Sequence, residues 1–273
     1  VCSSDLRINI ANSLVGLVFT LGFVCTLGLP GALISAVTYQ SVMLFITLWM
    51  VRKLPWVNFN YFKNKLDGVL ARKYFRYTLM TLTTAATVPA SQMLLRGYVI
   101  SEISPVEAGW WEGMNRISGM YLMVITSSFS VYYLPRLSEL TDRLELRREI
   151  FKAYKVIVPM LLAGFTLVYL LRYVVIRILF TPEFLPMENL FAWQMAGDFF
   201  KICSWLLAFL MVAKSMTKTF ISTEIFFSMG FVLLGFLFMR WNGVVGLTQA
   251  YFVNYILYMG SMVILFRKLI YGK

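Results

Sequence analysis

Two pairs of opposite charges lie inside long apolar stretches of this sequence, where a charge is costly. Asp198 and Lys201 are three residues apart in one stretch. Glu112 and Arg116 are four residues apart in another. Residues at these spacings share one face of a helix, and ionisable side chains at membrane depth usually mark a path for a substrate or an ion. The pairs therefore predict a polar, functional face on two otherwise apolar helices.

The sequence leaves two interpretations open for each pair. Asp198 and Lys201 form either a local ion pair that offsets its own insertion energy, or one wall of a water-filled cavity. In the cavity, Lys201 would bind an anionic ligand, and Gln194 would extend the same face by one helical turn. Glu112 and Arg116 form either an interfacial ion pair or the outer half of that cavity.

Two further charged residues extend these candidates. Arg96 lies close to the end of its apolar stretch, where it either snorkels to the interface or reaches the cavity. Glu224 is either a capping or inter-helix residue, or a membrane carboxylate that couples transport to protons or other ions. The candidates for the substrate cavity are Lys201, Asp198, Arg116, Glu112, Gln194 and Arg96, and those for ion coupling are Asp198 and Glu224.

Metal, cofactor and nucleotide chemistry have no visible basis in the sequence. The chain has no histidine, and its three cysteines lack the spacing of a metal site. The G-x-x-x-x-G-K-S/T motif of nucleotide-binding loops does not occur either. We therefore expect no metal and no cofactor.

The composition is typical of a membrane protein. Hydrophobic residues make up 59% and charged residues 14% of the 273 residues, whereas soluble domains carry about 25% charged residues. The mean hydropathy is +0.73, and a run of about 20 apolar residues can cross a bilayer as a helix. We predict an all-α polytopic membrane protein with about eight transmembrane helices, at about residues 8–28, 31–51, 77–98, 108–134, 156–180, 189–213, 219–239 and 244–266.

The net charge of +12 follows from membrane topology rather than from nucleic-acid binding. Lys and Arg residues cluster between the predicted spans, notably at residues 52–76 and 136–155. Cytoplasmic loops carry such an excess, so we expect both ends of the chain in the cytoplasm and anionic membrane lipids as partners. Residues 136–155 are predicted to form a short amphipathic helix on the cytoplasmic face.

Several short strings follow one another in a fixed order between about residues 78 and 258. They are FSVYYLP at 129–135, LFAWQ at 190–194 with Gly197, Asp198 and Lys201 behind it, and GVVG at 243–246 with QAY at 249–251. This ordered set resembles the Wzx-type polysaccharide flippases of the MOP exporter superfamily, and is most similar to the branch that handles lipid III of enterobacterial common antigen. Asp198 and Lys201 match that branch, whereas Glu112 and Arg116 depart from it.

The resemblance implies a MOP/MATE-like fold, in which two six-helix lobes face each other across a central cavity. Residues 7–73 would be the last two helices of the N-lobe plus a cytoplasmic linker, and residues 74–273 would be a complete six-helix C-lobe. About four N-terminal helices would then be absent, and residues 1–6 are interpreted as a non-native leader.

The resemblance also implies a function. Members flip an undecaprenyl-pyrophosphate-linked oligosaccharide, such as lipid III or an O-antigen unit, across the bacterial inner membrane by alternating access through a cationic central cavity. A polysaccharide polymerase and a chain-length regulator are the protein partners that the family suggests.

One alternative is a MATE-like ion-coupled small-molecule antiporter, whose cavity would be dominated by carboxylates. A membrane polysaccharide polymerase or ligase would carry a large outer loop with polar catalytic residues. The predicted loops are short, so we expect a transporter and not an enzyme.

Overall fold

The computed structural model describes residues 2–51 and 68–271, which are helical almost throughout and contain no strand. The helices are α1 (Cys2–Val51), α2 (Gly68–Glu102), α3 (Pro105–Ser128), α4 (Leu134–Glu139), α5 (Arg143–Leu170), α6 (Arg172–Leu179), α7 (Glu188–Ala213), α8 (Thr217–Leu265) and α9 (Arg267–Tyr271). A π-helical turn at Phe129–Tyr133 joins α3 to α4, and a 3-10 turn at Pro182–Met187 precedes α7.

The eight predicted spans all fall on these helical segments. α1 and α8 each contain two spans, which meet at non-helical backbone angles: at Gly28 in α1, and at Asn242 and Gly243 in α8. Five stretches of the described chain are long and apolar enough to cross a membrane: Pro30–Leu48, Pro105–Glu139, Arg143–Leu170, Pro182–Ala213 and Thr217–Leu265. The prediction of an all-α polytopic membrane protein is confirmed.

Two tight turns of the same kind break α1 and α8. In the first, Gly28 has φ 63° and ψ −138°; in the second, Gly243 has φ 55° and ψ −141°. These angles resemble the first central position of a type II′ turn, which glycine adopts without strain. A Cβ added at Gly31 or Gly246 would lie 1.9 Å or 2.1 Å from the carbonyl oxygen of the phenylalanine eight positions before it. Each turn therefore requires glycine twice, in the pattern G-x-x-G.

The chain divides into two compact units, residues 1–67 and 68–273. Residues 52–67 of the predicted linker lie outside the described residues, as does Val1 of the predicted leader. The boundaries proposed for the two lobes, 7–73 and 74–273, stay a prediction.

In the second unit, α7 is the central helix, and its buried side chains belong to two apolar clusters. Near its start, Leu190 and Phe191 pack with Leu95 of α2 and Leu247 of α8. Towards its end, side chains such as Leu206 pack with residues of α4, α5 and α8. Asp198 lies between the two clusters, so the fold buries it at the middle of the bundle.

The prediction of a separate amphipathic helix at residues 136–155 is wrong. Arg136 belongs to α4, and the rest of the basic segment forms the first turns of α5, which continues without a break into the apolar stretch. The Asp142 side chain accepts hydrogen bonds from the backbone N–H groups of Leu144 and Glu145, at 3.0 and 3.1 Å. This N-cap starts one long helix, and Pro159 is accommodated inside it.

Candidate functional site

The Asp198 carboxylate is fully buried and surrounded by hydroxyl groups. Ser118 and Tyr121 of α3 donate hydrogen bonds to Oδ2, the first at 2.6 Å. The Tyr251 hydroxyl of α8 donates to Oδ1 at 2.7 Å. A buried carboxylate is tolerated only when hydrogen bonds replace its hydration, and here two neighbouring helices supply them. Asp198 therefore ties α3, α7 and α8 together.

Gly197 is the reason that Tyr251 can reach this carboxylate. A Cβ at position 197 would lie 2.4 Å from the Tyr251 ring, a distance that no side chain could accept. The missing side chain lets the ring of α8 lie directly against the backbone of α7. In the sequence pair Gly197–Asp198, the glycine thus lets the Tyr251 ring pack closely, and the aspartate accepts the hydrogen bond from its hydroxyl.

Lys201 is joined to Asp198 through the same tyrosine. Its Nζ donates a hydrogen bond to the Tyr251 hydroxyl at 3.0 Å. It also lies 5.2 Å, 5.4 Å and 5.1 Å from the ring centroids of Trp205, Tyr251 and Tyr255, within the range of cation–π attraction. The ion pairs of the described residues do not include Asp198 with Lys201. We call Asp198, Tyr251 and Lys201 the tyrosine bridge.

A cavity of about 430 Å³ opens beside Lys201. Lys201 and Glu224 are the charged side chains among the described residues that line it. Thr84 of α2 lines the same cavity. Many of the other lining residues are aromatic, namely Trp205, Phe209, Phe220, Phe227, Phe231, Tyr251, Tyr255 and Tyr258. A cavity with aromatic walls and a few convergent polar groups is typical of a small-molecule binding site.

Arg96, Glu112 and Arg116 form a second, separate group of charges. The Arg96 guanidinium of α2 donates to Glu112 Oε2, and Arg116 Nε donates to Oε1 at 2.9 Å. The side chains are 40%, 30% and 74% exposed, in that order. We call these three residues the arginine cluster. Two cations share one carboxylate, so the cluster keeps a formal charge of one positive unit.

The predicted site residues are thus divided between different places. Lys201 and Glu224 line the cavity, and Asp198 reaches Lys201 through Tyr251. Gln194 is 1% exposed, its Oε1 atom is unpaired, and it is not among the described residues that line the cavity. The arginine cluster contributes none of the described residues that line the cavity.

Sequence reasoning missed the aromatic and hydroxyl partners of the charges. Tyr251 and Tyr255 are four residues apart in an apolar helix, and this spacing places both hydroxyls on one face. Asn115, Ser118 and Tyr121 form a comparable polar stripe on α3. These regular spacings were the available signal. Within the described ranges, no group of three or more histidine, cysteine, aspartate or glutamate residues could hold a metal ion.

Comparisons with known proteins bear on the resemblance. No protein-family model and no solved structure matches the chain. It is similar to the lipid III flippase of Escherichia coli (strain K12) and to the lipid III flippase of Shigella flexneri. Each comparison gives 34% identity over 235 residues, which cover 85% of this chain and 56% of the relative.

The chain therefore spans about half the length of the curated relatives that it matches. The match includes most of the described helices, since it covers 85% of the chain. The resemblance predicted from the motifs is confirmed, and over this length the chain is a homologue of the lipid III flippases, which are transporters and not enzymes.

Proposed function

We propose that this chain is part of a flippase that moves an undecaprenyl-pyrophosphate-linked oligosaccharide, lipid III or an O-antigen unit, across the bacterial inner membrane. Transport would proceed by alternating access, with the head group passing through the cavity beside Lys201. The observation that carries the proposal is a lysine ammonium held inside an aromatic cavity of a polytopic membrane protein. The similarity to the two lipid III flippases supports the choice of substrate.

The chemistry of the cavity suits such a head group. A charged group that crosses the low-dielectric layer must exchange its hydration for protein partners, and the Lys201 ammonium is the cationic partner that the cavity wall offers. Charge-assisted hydrogen bonds to an ammonium are among the stronger ones in proteins. The aromatic walls offer flat apolar faces on which sugar rings can pack. The Tyr251 hydroxyl holds the Lys201 ammonium in place, because it accepts a hydrogen bond from Lys201 and donates one to the buried Asp198 carboxylate.

The expected membrane arrangement belongs to the same proposal. Both ends of the chain would lie in the cytoplasm, because the Lys and Arg residues cluster in the loops on that side. The two units would belong to the N-lobe and the C-lobe that the resemblance implies. The polysaccharide polymerase and the chain-length regulator remain the proposed protein partners, and the polyprenyl tail would stay in the lipid.

A second candidate function is ion-coupled antiport of a small molecule. It is favoured by one observation, the Glu224 carboxylate that faces the same cavity as Lys201. A carboxylate at this depth could bind and release a proton or another cation during the transport cycle. Asp198 is the less accessible of the two proposed coupling groups, because three hydroxyl groups enclose it. Ion coupling by Glu224 is also compatible with a flippase.

A chimera tests the proposal in cells. The matching segment of the E. coli lipid III flippase would be replaced by this chain, and the chimera expressed in a strain that lacks that flippase. We expect surface common antigen to return with the chimera and to be lost with Lys201→Met. The matched control is Lys268→Met on α9, which removes an exposed lysine and should leave the antigen unchanged. A chimera that is inserted in the membrane but restores no antigen would contradict the lipid III assignment, and an O-antigen strain would be tested in the same way.

A further inference from the structure

The cavity and the arginine cluster differ in their charge balance. The cavity wall carries one cation and one carboxylate, Lys201 and Glu224, and Asp198 adds a second carboxylate behind it. These formal charges leave no surplus of positive charge beside Lys201. The arginine cluster has two guanidinium groups and one carboxylate. The surplus positive charge on this part of the molecule is therefore at the cluster.

The cluster also has hydrogen-bond donors without acceptors. Arg96 Nε and the side-chain nitrogen of Asn115 are buried and have no partner. Glu112, Asn115 and Arg116 are three and four residues apart, so they share one face of α3. A buried donor without an acceptor is unfavourable, and a single carboxylate has too few oxygen atoms for two arginines, which have five N–H donors each. The site therefore has more N–H donors than acceptors, and the oxygen atoms of a phosphate group would supply the missing acceptors.

The cluster is also accessible and close to the cavity. The Arg116 side chain is 74% exposed, so an incoming ligand can reach it. On α2, Val88 and Gln92 line the cavity, and Arg96 follows at the same four-residue spacing. Residues with this spacing share a face, and four residues advance a helix by about 6 Å. A ligand that fills the cavity could therefore extend to the arginines.

We propose that the arginine cluster is an anion-binding site for the pyrophosphate of the substrate, and that Glu112 is a resident counter-ion which the pyrophosphate displaces. The proposal rests on the proposed function and divides the head group between two places. The sugars occupy the aromatic cavity, and the pyrophosphate binds the two guanidinium groups, whose planar forks match its oxygen atoms. Glu112 neutralises the arginines when the site is empty and competes with the ligand for them. Substrate binding is then an exchange of one anion for another.

Binding measured on the purified full chain in lipid nanodiscs tests this exchange without requiring transport. The probes are farnesyl pyrophosphate, farnesol and inorganic pyrophosphate, with isothermal titration calorimetry as the readout. We expect farnesyl pyrophosphate to bind, farnesol to bind much more weakly, and inorganic pyrophosphate to compete. Competition by the inorganic ion identifies phosphate chemistry itself as the determinant, whereas its absence would show that the lipid-linked form is required.

The variants separate the partners within the cluster. Arg96→Gln and Arg116→Gln should each weaken farnesyl pyrophosphate binding about tenfold or more, as expected for the loss of a charge-assisted hydrogen bond. Glu112→Gln should tighten binding about tenfold, because the competing anion is gone. The control is Arg172→Gln, which removes an arginine from another ion pair, with Glu188 at 3.9 Å, and should change nothing. Arg116 is mostly exposed, so its variant folds even if Glu112→Gln does not.

Three results would overturn the proposal, and they have different meanings for the function. If Lys201→Met abolishes binding while all three cluster variants bind like the wild type, the pyrophosphate binds at Lys201 and the flippase assignment stands. If the wild-type chain binds neither pyrophosphate probe, both the cluster site and the proposed substrate fail. Weaker binding of Glu112→Gln, in a protein that remains folded, would show that Glu112 only positions the arginines.

Discussion

Removing either charge of the tyrosine bridge should destabilise the protein much more than the same change made in the absence of the other charge. The two hydrogen bonds through the Tyr251 hydroxyl are 2.7 and 3.0 Å long, so the Asp198 carboxylate and the Lys201 ammonium are at most about 6 Å apart. At an effective dielectric constant of about 20, two unit charges at this distance attract by about 3 kcal/mol. Asp198→Asn leaves Lys201 without this partner, and Lys201→Met leaves the buried carboxylate without its cation.

A double-mutant cycle isolates this attraction. The wild type, Asp198→Asn, Lys201→Met and the double variant would be unfolded at equilibrium with sodium dodecyl sulfate in dodecyl maltoside micelles, followed by helical circular dichroism. We expect the double variant to be more stable than the sum of the single effects predicts, by about 3 kcal/mol. The comparison cycle pairs Lys201→Met with Glu224→Gln, and its coupling should be smaller because the hydrogen bonds among the described residues join Lys201 through Tyr251 to Asp198.

A coupling below about 0.5 kcal/mol, which is within the range of independent sites, would refute this reasoning. It would mean that the tyrosine hydroxyl and the surrounding rings screen the two charges from each other. A larger coupling in the Glu224 cycle would instead make Glu224 the principal counter-ion of Lys201. In either case, Asp198 would not be the principal counter-ion of Lys201.

Two further predictions concern the glycines, and both use the same unfolding measurement. Gly243→Ala should destabilise the protein by about 1–3 kcal/mol, since alanine does not adopt φ 55° with ψ −141° without strain. Gly197→Ala should destabilise it by about 1.5–3 kcal/mol, because the new methyl group would lie 2.4 Å from the Tyr251 ring and push its hydroxyl away from Asp198. Gly260→Ala is the control, because nothing lies within 4 Å of the added methyl group; equal losses in all three variants would exclude these site-specific causes.

Sequence periodicity predicted the helices better than it predicted the contacts between them. The spans and the two glycine turns follow from local properties, namely apolar length and backbone conformation, which neighbouring residues determine. The ion pair of Glu112 with Arg116 was also visible as a four-residue spacing. The partner of Asp198 was not visible in the sequence, because Tyr251 is 53 residues away. Asp198 and Lys201 do share a helical face, but the ring of another helix lies between their charged ends.

The partner of Arg96 could not be predicted from sequence periodicity either. The position of Arg96 near a helix end left open whether it snorkels to the interface or reaches the cavity, whereas its partner is Glu112 on the next helix, 16 residues later. Such contacts depend on how two helices pack, which apolar periodicity does not specify beyond the choice of face. The cavity is likewise a product of packing between helices that no single stretch of sequence describes.

The two G-x-x-G turns suggest how the chain arose. The hairpin containing Gly28 and Gly31 and the hairpin containing Gly243 and Gly246 have nearly the same backbone angles and the same close approach to a carbonyl oxygen. Transporters often contain internal structural repeats that survive with little sequence similarity. Duplication of one helical hairpin would leave such a pair of turns, and the second glycine of each would be retained because an added Cβ lies 1.9 or 2.1 Å from a carbonyl oxygen. The two turns provide fixed points from which the remaining helices of the two copies can be aligned.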